Sequence, residues 1–388
     1  MEKLDIVVVG GGPAGLRAAE VAAQSGRKVT LFDAKPGVGR KFLVAGKGGL
    51  NLTHGELFKN FTRRYSGGDV WQELLSDFDP AALREWAHGL GQETFQASSG
   101  RVYPKALKGA PLLRAWISRL KGLGVDIRTR QKWTGISEGN LLTFEGQSAV
   151  CAGAVIFALG GGSWPKTGSD GGWVDKFREI GVTVNSLQAS NCGWECDWSA
   201  GFLEIAEGLP VKNIVVKAGV TGLAGELMVT RYGLEGGTVY ALGRELRQMD
   251  IPEIEIDFKP TFSTEQLITK VPKQKSDLFE RAVKAWKLSK PVAAMLGARS
   301  WETVEELAGA AKSWRITLNG PRPIAEAISS AGGVSWQELD DSLMLRKFPG
   351  VFLCGEMIDW DAPTGGYLLQ AAFATGSRVG RRAADFVS

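Results

Sequence analysis

Residues 4–15 read LDIVVVGGGPAG, and the fold class of the chain can be inferred from this segment. Its first six residues are mostly β-branched and have no helical period, which is typical of a buried strand. The glycine-rich part predicts a tight turn, and the alanine-rich segment that continues to about residue 25 predicts a helix. A second run, KVTLFD at residues 28–33, predicts another strand. Residues 1–33 are therefore predicted to form a βαβ unit of a parallel sheet.

Gly10, Gly12 and Gly15 have the G-x-G-x-x-G spacing of a dinucleotide-binding turn. Gly10 permits the sharp turn, Gly12 lets a pyrophosphate approach the backbone, and Gly15 lets the helix pack closely on the strand. The predicted helix begins with Pro13 and Ala14. The positive end of the helix dipole lies at this start and attracts phosphate. The alternative is a structural glycine turn without a nucleotide, but the strand before the turn and the helix after it favour the nucleotide.

Asp33 lies at the end of the second predicted strand, and Ala34 and Lys35 follow it. A carboxylate at this position accepts a hydrogen bond from a ribose hydroxyl. Because it would repel a 2′-phosphate, the pattern argues against NADP at this turn and leaves FAD or NAD.

The C-terminal end of the sequence favours FAD. A short apolar run ends in Gly355 and Glu356, and a helix is predicted to follow Gly365 and Gly366. Flavoenzymes with the glutathione-reductase-like fold return such a strand and helix to the first sheet. The start of that helix stabilises the negative charge that develops near flavin N1 and O2 on reduction. The predicted cofactor contacts in this region are Gly355, Glu356, Asp359, Gly365, Gly366, Tyr367 and Leu368.

The composition is that of a soluble globular protein, with 388 residues of which 44% are hydrophobic and 23% charged. The longest mostly apolar run, residues 149–159, is shorter than the roughly 18 residues of a membrane span. With only four cysteines and no leader pattern, we expect a cytoplasmic protein without a disulfide framework. Residues 1–189 and 345–388 are predicted to form an α/β FAD-binding domain, and residues 190–344 an inserted domain with a β-barrel-like part and a small helical part.

Residues 95–132 contain nine Lys or Arg residues and one acidic residue. Such a segment is suited to a nucleotide phosphate or an RNA backbone. The alternative is an ordinary solvated face of a helix and a strand.

Seven segments make the sequence resemble the BaiN-type (YhiN-like) NAD(P)/FAD-dependent oxidoreductases. They are residues 7–15, 39–53, 100–104, 158–168, 225–227, 332–334 and 355–372, and they occur in the expected order over almost the whole chain. The resemblance implies FAD as cofactor, NAD(P)H as a transient donor and an FAD domain interrupted by an insert. Together with the motifs, it predicts further cofactor contacts at Arg40, Lys41, Gly46, Gly48, Asn51, Leu52, Thr53, Trp133, Ala158, Leu159, Gly160 and Gly161.

The sequence departs from the family pattern at one place. The family usually reads Gly-Arg-Cys-Asn where this chain has Gly48, Gly49, Leu50 and Asn51. We therefore expect a divergent subfamily that keeps FAD, with a substrate or reaction that need not carry over.

Few catalytic side chains are expected, because the flavin supplies its own hydride site. His54, Tyr103 and Lys105 are candidate proton donors or anion contacts, each with ordinary packing or solvation as the alternative. Cys192 and Cys196 have a C-x3-C spacing that suggests a redox pair, with packing as the alternative, and no cluster predicts a metal site. Three tryptophans are expected near the flavin or the mouth of its site: Trp164, Trp173 and Trp360.

The sequence thus favours an FAD-dependent oxidoreductase that passes a hydride from NAD(P)H to an unsaturated or carbonyl-bearing small molecule. No second G-x-G-x-x-G follows a predicted strand, so the nicotinamide donor is expected to visit the flavin only transiently. Two alternatives stay open: a flavoenzyme that reduces uridine in RNA, and a flavin-binding protein without enzymatic activity. The oligomeric state is left open.

Overall fold

The computed structural model describes residues 1–46, 48–273 and 277–388, which divide into two units. The first unit consists of Met1–Ala189 and Ile328–Ser388, and the second of Ser190–Ala327. The sequence predicts an ordered loop over residues 37–51 and a helix over residues 276–287. Lys47 of the first segment and Ser276 of the second lie outside the described residues.

The strands, in chain order, are β1 (Glu2–Val9), β2 (Val29–Asp33), β3 (Thr53–His54), β4 (Thr94–Gln96), β5 (Arg101–Pro104), β6 (Asp126–Thr129), β7 (Trp133–Ser137), β8 (Leu141–Phe144), β9 (Val150–Phe157), β10 (Val184–Ser190), β11 (Trp194–Glu195), β12 (Pro210–Ala218), β13 (Thr221–Thr230), β14 (Gly233–Glu235), β15 (Glu253–Asp257), β16 (Trp314–Thr317), β17 (Gly320–Pro321), β18 (Ser329–Val334) and β19 (Val351–Leu353). The helices are α1 (Pro13–Gln24), α2 (Arg40–Ala45), α3 (Phe58–Thr62), α4 (Val70–Asp77), α5 (Pro80–His88), α6 (Gly109–Gly122), α7 (Val174–Glu179), α8 (Ala200–Ala206), α9 (Gly237–Ala241), α10 (Gly243–Arg247), α11 (Thr264–Lys270), α12 (Leu278–Trp286), α13 (Lys290–Gly297), α14 (Val304–Lys312) and α15 (Tyr367–Phe386).

The main sheet of the first unit has β1 in its middle, with β2 and then β6 on one side and β9 on the other. These strands are parallel, and Val8 of β1 is in register with Leu31 of β2 and Ile156 of β9. The end of β9 also pairs in parallel with β19, while its start pairs with the antiparallel β7–β8 hairpin. The predicted βαβ unit and parallel sheet are confirmed.

One strand prediction was wrong. The sequence of residues 128–136 predicts a single strand that forms a small hairpin with residues 141–144, but the structure divides these residues between β6 and β7. Only β7 belongs to the hairpin. β6 instead adds a strand to the edge of the main sheet, where it pairs in parallel with β2 along residues that include Leu31.

The C-terminal helix α15 packs directly on α1 through two glycines. A Cβ atom on Gly376 would lie 2.4 Å from the carbonyl oxygen of Ala14, and one on Gly380 would lie 2.6 Å from that of Ala18. The two backbones therefore approach closely only because these positions lack side chains. This contact brings the last helix of the chain to the first turn of the sheet.

The apolar core of the first unit contains Val334, Leu339 and Leu343. The second unit therefore ends earlier in the chain than the sequence predicts. The sequence placed the return to the first domain at residue 345, whereas the structural division is at Ile328. The reason is that β18 pairs with β10, and the segment after it is buried with the parallel sheet.

The second unit is built on an antiparallel seven-stranded sheet, in the order β16, β15, β12, β13, β14, β11, β17. Its own apolar core includes Ile254, Ile256, Leu267 and Leu307. Helices α11 to α14 supply part of that core, so the unit combines the β-rich and helical parts that the sequence predicted. Across the described residues of both units, no helix is both long and apolar enough to span a bilayer.

Candidate functional site

A cavity of about 810 Å³ lies in the first unit, at the carboxyl ends of β1, β2, β9 and β19. Val9, Asp33, Ala158 and Cys354 lie on its wall at the ends of these four strands or just beyond them. β1 has β2 on one side and β9 on the other, so the connections from neighbouring strands run in opposite directions along the sheet at this position. Ligands of open α/β sheets bind beside the carboxyl ends of the strands at such a change of direction.

The three motif glycines have different roles in the turn between β1 and α1. Gly10 has a φ of 108°, and a Cβ atom on it would lie 2.4 Å from the carbonyl oxygen of Ala158. A Cβ on Gly15 would lie 1.9 Å from the carbonyl oxygen of Gly10, so close packing of helix and turn requires glycine there. A Cβ on Gly12 would meet no atom within 4 Å, and Gly12 lines the cavity. The space beside Gly12 is therefore open to the backbone, as the close approach of a phosphate requires.

The start of α1 leaves its N–H groups available at this space. The helix begins at Pro13, and Gly12 at its N-cap offers no side chain to cover the first turn. A helix start of this kind attracts an anion because the unpaired N–H groups and the dipole act together. The turn thus fits the pyrophosphate of a dinucleotide.

Asp33 is held at the cavity wall by two backbone donors. The N–H of Gly11 donates to Oδ2 and the N–H of Lys35 donates to Oδ1, each at 2.7 Å. Burial raises the pKa of the Asp33 carboxyl above its ordinary value, although both hydrogen bonds act in the opposite direction. Each oxygen keeps a lone pair for a further donor such as a ribose hydroxyl.

Gly11, between the motif glycines, was missed by the motif reasoning. A Cβ atom on it would lie 2.8 Å from Asp33 Oδ2 and 2.4 Å from Cγ1 of Val38. The carboxylate therefore reaches the turn only because a third glycine stands there.

A charged pair crosses the cavity wall between α2 and the end of β19. Lys41 Nζ donates to Glu356 Oε2 and to Ser163 Oγ, both at 2.7 Å. The other carboxylate oxygen of Glu356 accepts the backbone N–H of Ser330 at 2.8 Å. Gly161 allows this arrangement, because a Cβ atom there would lie 2.4 Å from Ser330 Oγ.

The start of α15 forms another part of the wall. Gly365 and Gly366 line the cavity and have φ values of 126° and 101°. A Cβ atom on Gly366 would lie 2.5 Å from the backbone of Thr53, so β3 fixes the position of this helix start.

Tyr367, the first residue of α15, is held by a polar cluster behind the cavity wall. Its hydroxyl donates to Glu56 Oε1 at 2.5 Å. The ring of His54 stacks on the Tyr367 ring, with 5.5 Å between the centroids. Arg64 donates two hydrogen bonds to Glu56, at 3.0 and 2.8 Å. Burial alone would raise the pKa of Glu56, but the hydrogen bonds from Arg64 and Tyr367 outweigh it and lower that pKa. The cluster anchors the helix start as an ionised unit.

Two buried polar atoms on the wall are left for a ligand. Asn51 Oδ1 and Trp133 Nε1 have no hydrogen-bond partner in the part of the chain that the structure describes, and both residues line the cavity. Asn51 is placed by its neighbours, since the N–H of Leu50 donates to Leu107 and that of Leu52 to Val102. Buried polar atoms without a partner are rare in folded proteins, so these two favour a bound polar molecule.

Most residues predicted to contact the cofactor lie on this one cavity. Those that line it are Gly10, Gly12, Pro13, Ala14, Asp33, Ala34, Lys35, Arg40, Lys41, Asn51, Trp133, Ala158, Leu159, Gly160, Gly355, Glu356, Gly365, Gly366 and Leu368. The others are not among the lining residues: Gly15, Gly46, Gly48, Leu52, Thr53, Gly161, Asp359 and Tyr367. Leu52, for example, is fully buried in the core, and Asp359 accepts a hydrogen bond from Asn185.

The three candidate catalytic residues are not among the lining residues. His54 lies behind Tyr367, with its Nε2 atom 3.0 Å from the carbonyl oxygen of Ser99. Lys105 is exposed and forms an ion pair with Glu93. Tyr103 lies behind Gly49, which does line the cavity.

Several lining residues carried no motif that sequence reasoning could use. They include Gln131, Lys132 and Thr134 around the start of β7, Ser169 and Asp170 between β9 and α7, and Lys176 in α7. Trp173 and Trp360 line the cavity as expected, whereas Trp164 is 37% exposed and does not.

The basic segment 95–132 does not form one continuous charged face. Arg119 is paired with the buried Glu20, and Arg128 is paired with Glu2 and Asp126. The segment passes through β5, α6 and β6, so its charges point to different surroundings.

Cys192 and Cys196 of the second unit are both buried and not disulfide-bonded. Burial, with a smaller effect from Asp197, raises the pKa of Cys196 to about 12. A thiolate is disfavoured at that position, which argues against an exchanging redox pair. The described residues contain no group of three or more His, Cys, Asp or Glu that could hold a metal ion.

Two full-length relatives are enzymes. The 3-dehydro-bile acid delta(4,6)-reductase of Clostridium scindens is 27% identical, over 98% of this chain and 99% of its own. The ribosomal RNA dihydrouridine synthase of Escherichia coli is 23% identical, over 97% of this chain and 96% of its own.

The fold has solved counterparts. The 3-ketosteroid delta1-dehydrogenase of Sterolibacterium denitrificans superposes with a TM-score of 0.54 at 12% identity, covering 99% of this chain and 100% of that one. The whole-chain similarity to two enzymes favours an enzyme over the alternative of a flavin-binding protein without enzymatic activity. With residues 4–382 matching its pattern, the chain belongs to the HI0933-like protein Rossmann domain family and is an FAD-dependent oxidoreductase.

Proposed function

We propose that the cavity of the first unit holds FAD, and that the protein passes a hydride from NAD(P)H to an unsaturated or carbonyl-bearing small molecule. The observation that carries this proposal is the presence of two helix starts on one cavity, those of α1 and α15. One suits a pyrophosphate and the other the negative charge of a reduced ring system.

In this proposal, Gly12 and the start of α1 hold the pyrophosphate, and Asp33 accepts from the ribose. Lys41, Glu356 and the start of α15 lie along the remainder of the cofactor, where Asn51 and Trp133 offer their unpaired polar atoms. When bound, the flavin accepts and donates hydride at its N5 atom.

The substrate class is supported by the relatives and by the cavity. The bile acid reductase of Clostridium scindens is named for acting on an unsaturated ring ketone, and its similarity covers the whole chain. Trp360, Leu368 and Leu369 present apolar surface to the cavity near the start of α15. Apolar walls with a few polar groups are typical of sites for small organic molecules.

Anaerobic mixing tests the proposed donor. The purified protein with its flavin is mixed separately with NADH and with NADPH, and the loss of the oxidised flavin absorbance is followed. Rapid bleaching by one of them, followed by recovery on adding an α,β-unsaturated ring ketone, is the expected result. A flavin that neither nucleotide bleaches would contradict the proposed donor.

A second candidate is reduction of uridine in RNA, which the name of the Escherichia coli relative favours. Arg101 and Lys108 support it as exposed cations that make no ion pair within the described residues. Retention of structured RNA by the protein should then decrease steeply between low and physiological salt. Absence of retention at low salt would eliminate this candidate.

A further inference from the structure

The sheet β3–β5–β4 presents an aromatic and basic face beside the cavity. In its register His54 is opposite Arg101, and Phe95 is opposite Tyr103. Because paired residues lie on the same face of a sheet, as do residues two apart on a strand, these four side chains share one face. Val102, which points the other way, is buried.

The two aromatic rings of this face are stacked and accessible. Their centroids are 5.8 Å apart at an interplanar angle of 28°, and Phe95 is 38% exposed. An exposed aromatic stack of this kind is suited to bind the flat surface of a nucleobase.

The face also has positive charge that is not neutralised. Arg101 is exposed and makes no ion pair with any described residue, in contrast to Lys105, which is paired with Glu93. Arg101 and Tyr103 are two residues apart on β5, which places them about 7 Å apart along the strand. A planar guanidinium at that distance from a stacked base is suited to a phosphate group.

Tyr103 connects this face to the cavity. Gly49 lines the cavity, and a Cβ atom on it would lie 3.7 Å from Cε1 of Tyr103. The edge of the Tyr103 ring therefore lies next to a residue that lines the space assigned to FAD. A molecule stacked on Tyr103 has a short path over Gly49 into the cavity.

We propose that the outer face of β3–β5–β4 docks the adenosine-phosphate part of the nicotinamide donor. Phe95 and Tyr103 stack its adenine and Arg101 binds a phosphate, while the nicotinamide end reaches the cavity over Gly49. The inference rests on the proposed function, which assigns the one dinucleotide turn of the sequence to FAD and leaves the donor to bind elsewhere. The exposed ring stack suits the adenine of this occupant, and the cation of Arg101 suits its phosphate.

Variants of the exposed face test this inference. Phe95→Ala and Arg101→Gln are expected to raise the NADH or NADPH concentration for half-maximal flavin bleaching about tenfold, because a base stack and a charged hydrogen bond are each worth this much. The limiting bleaching rate and the FAD content should not change. Competition by ADP-ribose, which lacks the nicotinamide, should weaken by the same factor.

Two matched controls separate this face from general effects. Arg114→Gln removes an exposed cation of the same basic segment on α6, and Phe386→Leu removes an exposed ring at the far end of α15. Neither should alter the half-maximal concentration. If both face variants behave as the wild type does, or if they weaken only the retention of RNA, the inference is wrong.

The wild-type protein separates failure of this inference from failure of the proposed function. A wild type that retains FAD but is bleached by neither nucleotide contradicts the donor itself, before any variant is examined. A wild type that is bleached, with variants of unchanged half-maximal concentration, contradicts only the docking face.

Discussion

Lys41 Nζ lies 2.7 Å from Glu356 Oε2, so a side chain from the N-terminal part of the sequence is hydrogen-bonded to the turn that follows β19. The ammonium is 26% exposed and the carboxylate 16% exposed, and both residues line the cavity. This ion pair therefore joins the N-terminal part of the chain, which contains the glycine turn, to the C-terminal part, which contains α15.

Lys41→Met should weaken FAD binding about tenfold. The change leaves the partly buried Glu356 carboxylate without its cation, and such a loss costs about 1–3 kcal/mol. Titration of apoprotein with FAD, followed by quenching of flavin fluorescence, measures the effect. Lys217→Met, which breaks an ion pair with Glu255 in the second unit, is the control and should bind FAD as the wild type does.

Asp33→Asn should weaken FAD binding between tenfold and a hundredfold, at about 1–3 kcal/mol for a lost buried acceptor. The amide has one oxygen, so it cannot accept from Gly11, Lys35 and a ribose hydroxyl as the carboxylate can. An FAD titration of the variant at neutral pH gives the value directly. Unchanged affinity would show that the ribose lies elsewhere.

The affinity for FAD should also depend on pH through Asp33. Burial raises the pKa of its carboxyl, so protonation begins above the ordinary range of an aspartate, and the protonated form loses acceptor capacity. FAD affinity should therefore fall as the pH is lowered through that raised pKa. The apoprotein should show the opposite trend from this group, because the folded state binds the proton more tightly than the unfolded state and gains stability as the pH falls. In Asp33→Asn both contributions should be absent.

Tyr367→Phe should lower the midpoint potential of the bound flavin. The hydroxyl that joins the first residue of α15 to Glu56 is lost, so the helix start is held less firmly beside the cavity. We expect a loss of about 1 kcal/mol in the free energy of unfolding as well. Dye equilibration measures the potential and urea denaturation the stability. A potential equal to that of the wild type would contradict a role for this cluster in placing the helix start.

Glu20→Ala should destabilise the first unit by about 3–5 kcal/mol, the usual cost of removing one partner of a buried charged network. Glu20 is fully buried on α1 and accepts hydrogen bonds from Trp86, Trp116 and Arg119. Each of these donors would be left without a partner. Urea denaturation measures the free energy of unfolding of this variant and of the control Glu138→Ala. Glu138 is exposed, so its replacement should change that free energy little.

Site residues could be predicted from the sequence where a single physical requirement fixes the residue type. Gly10, Gly12 and Gly15 each stand where a side chain would collide or would fill the cavity, and Asp33 follows a strand whose end is fixed by the same turn. The return of Gly355 and Glu356 to the first sheet was likewise readable, because strand, turn and helix follow in order.

Other parts of the site depend on tertiary contacts that leave no local pattern. Gln131 and Lys176 reach the cavity because β7 and α7 are placed beside it by the sheet, and neither segment has a distinctive spacing. His54 was a candidate because of its residue type, yet its ring stacks on that of Tyr367 and does not line the cavity. Chemistry alone cannot tell which side of a helix start a histidine occupies.

The amount of FAD bound by Gly12→Val shows whether this cavity holds the cofactor. A side chain at Gly12 would enter space where no protein atom lies within 4 Å, so it should exclude the cofactor without disturbing the fold. Gly309→Val, at an exposed glycine of α14 with equally open surroundings, is the matched control. We expect one FAD per chain in the wild type and the control, and none in Gly12→Val. Equal, stoichiometric FAD in all three proteins would contradict the assignment of this cavity.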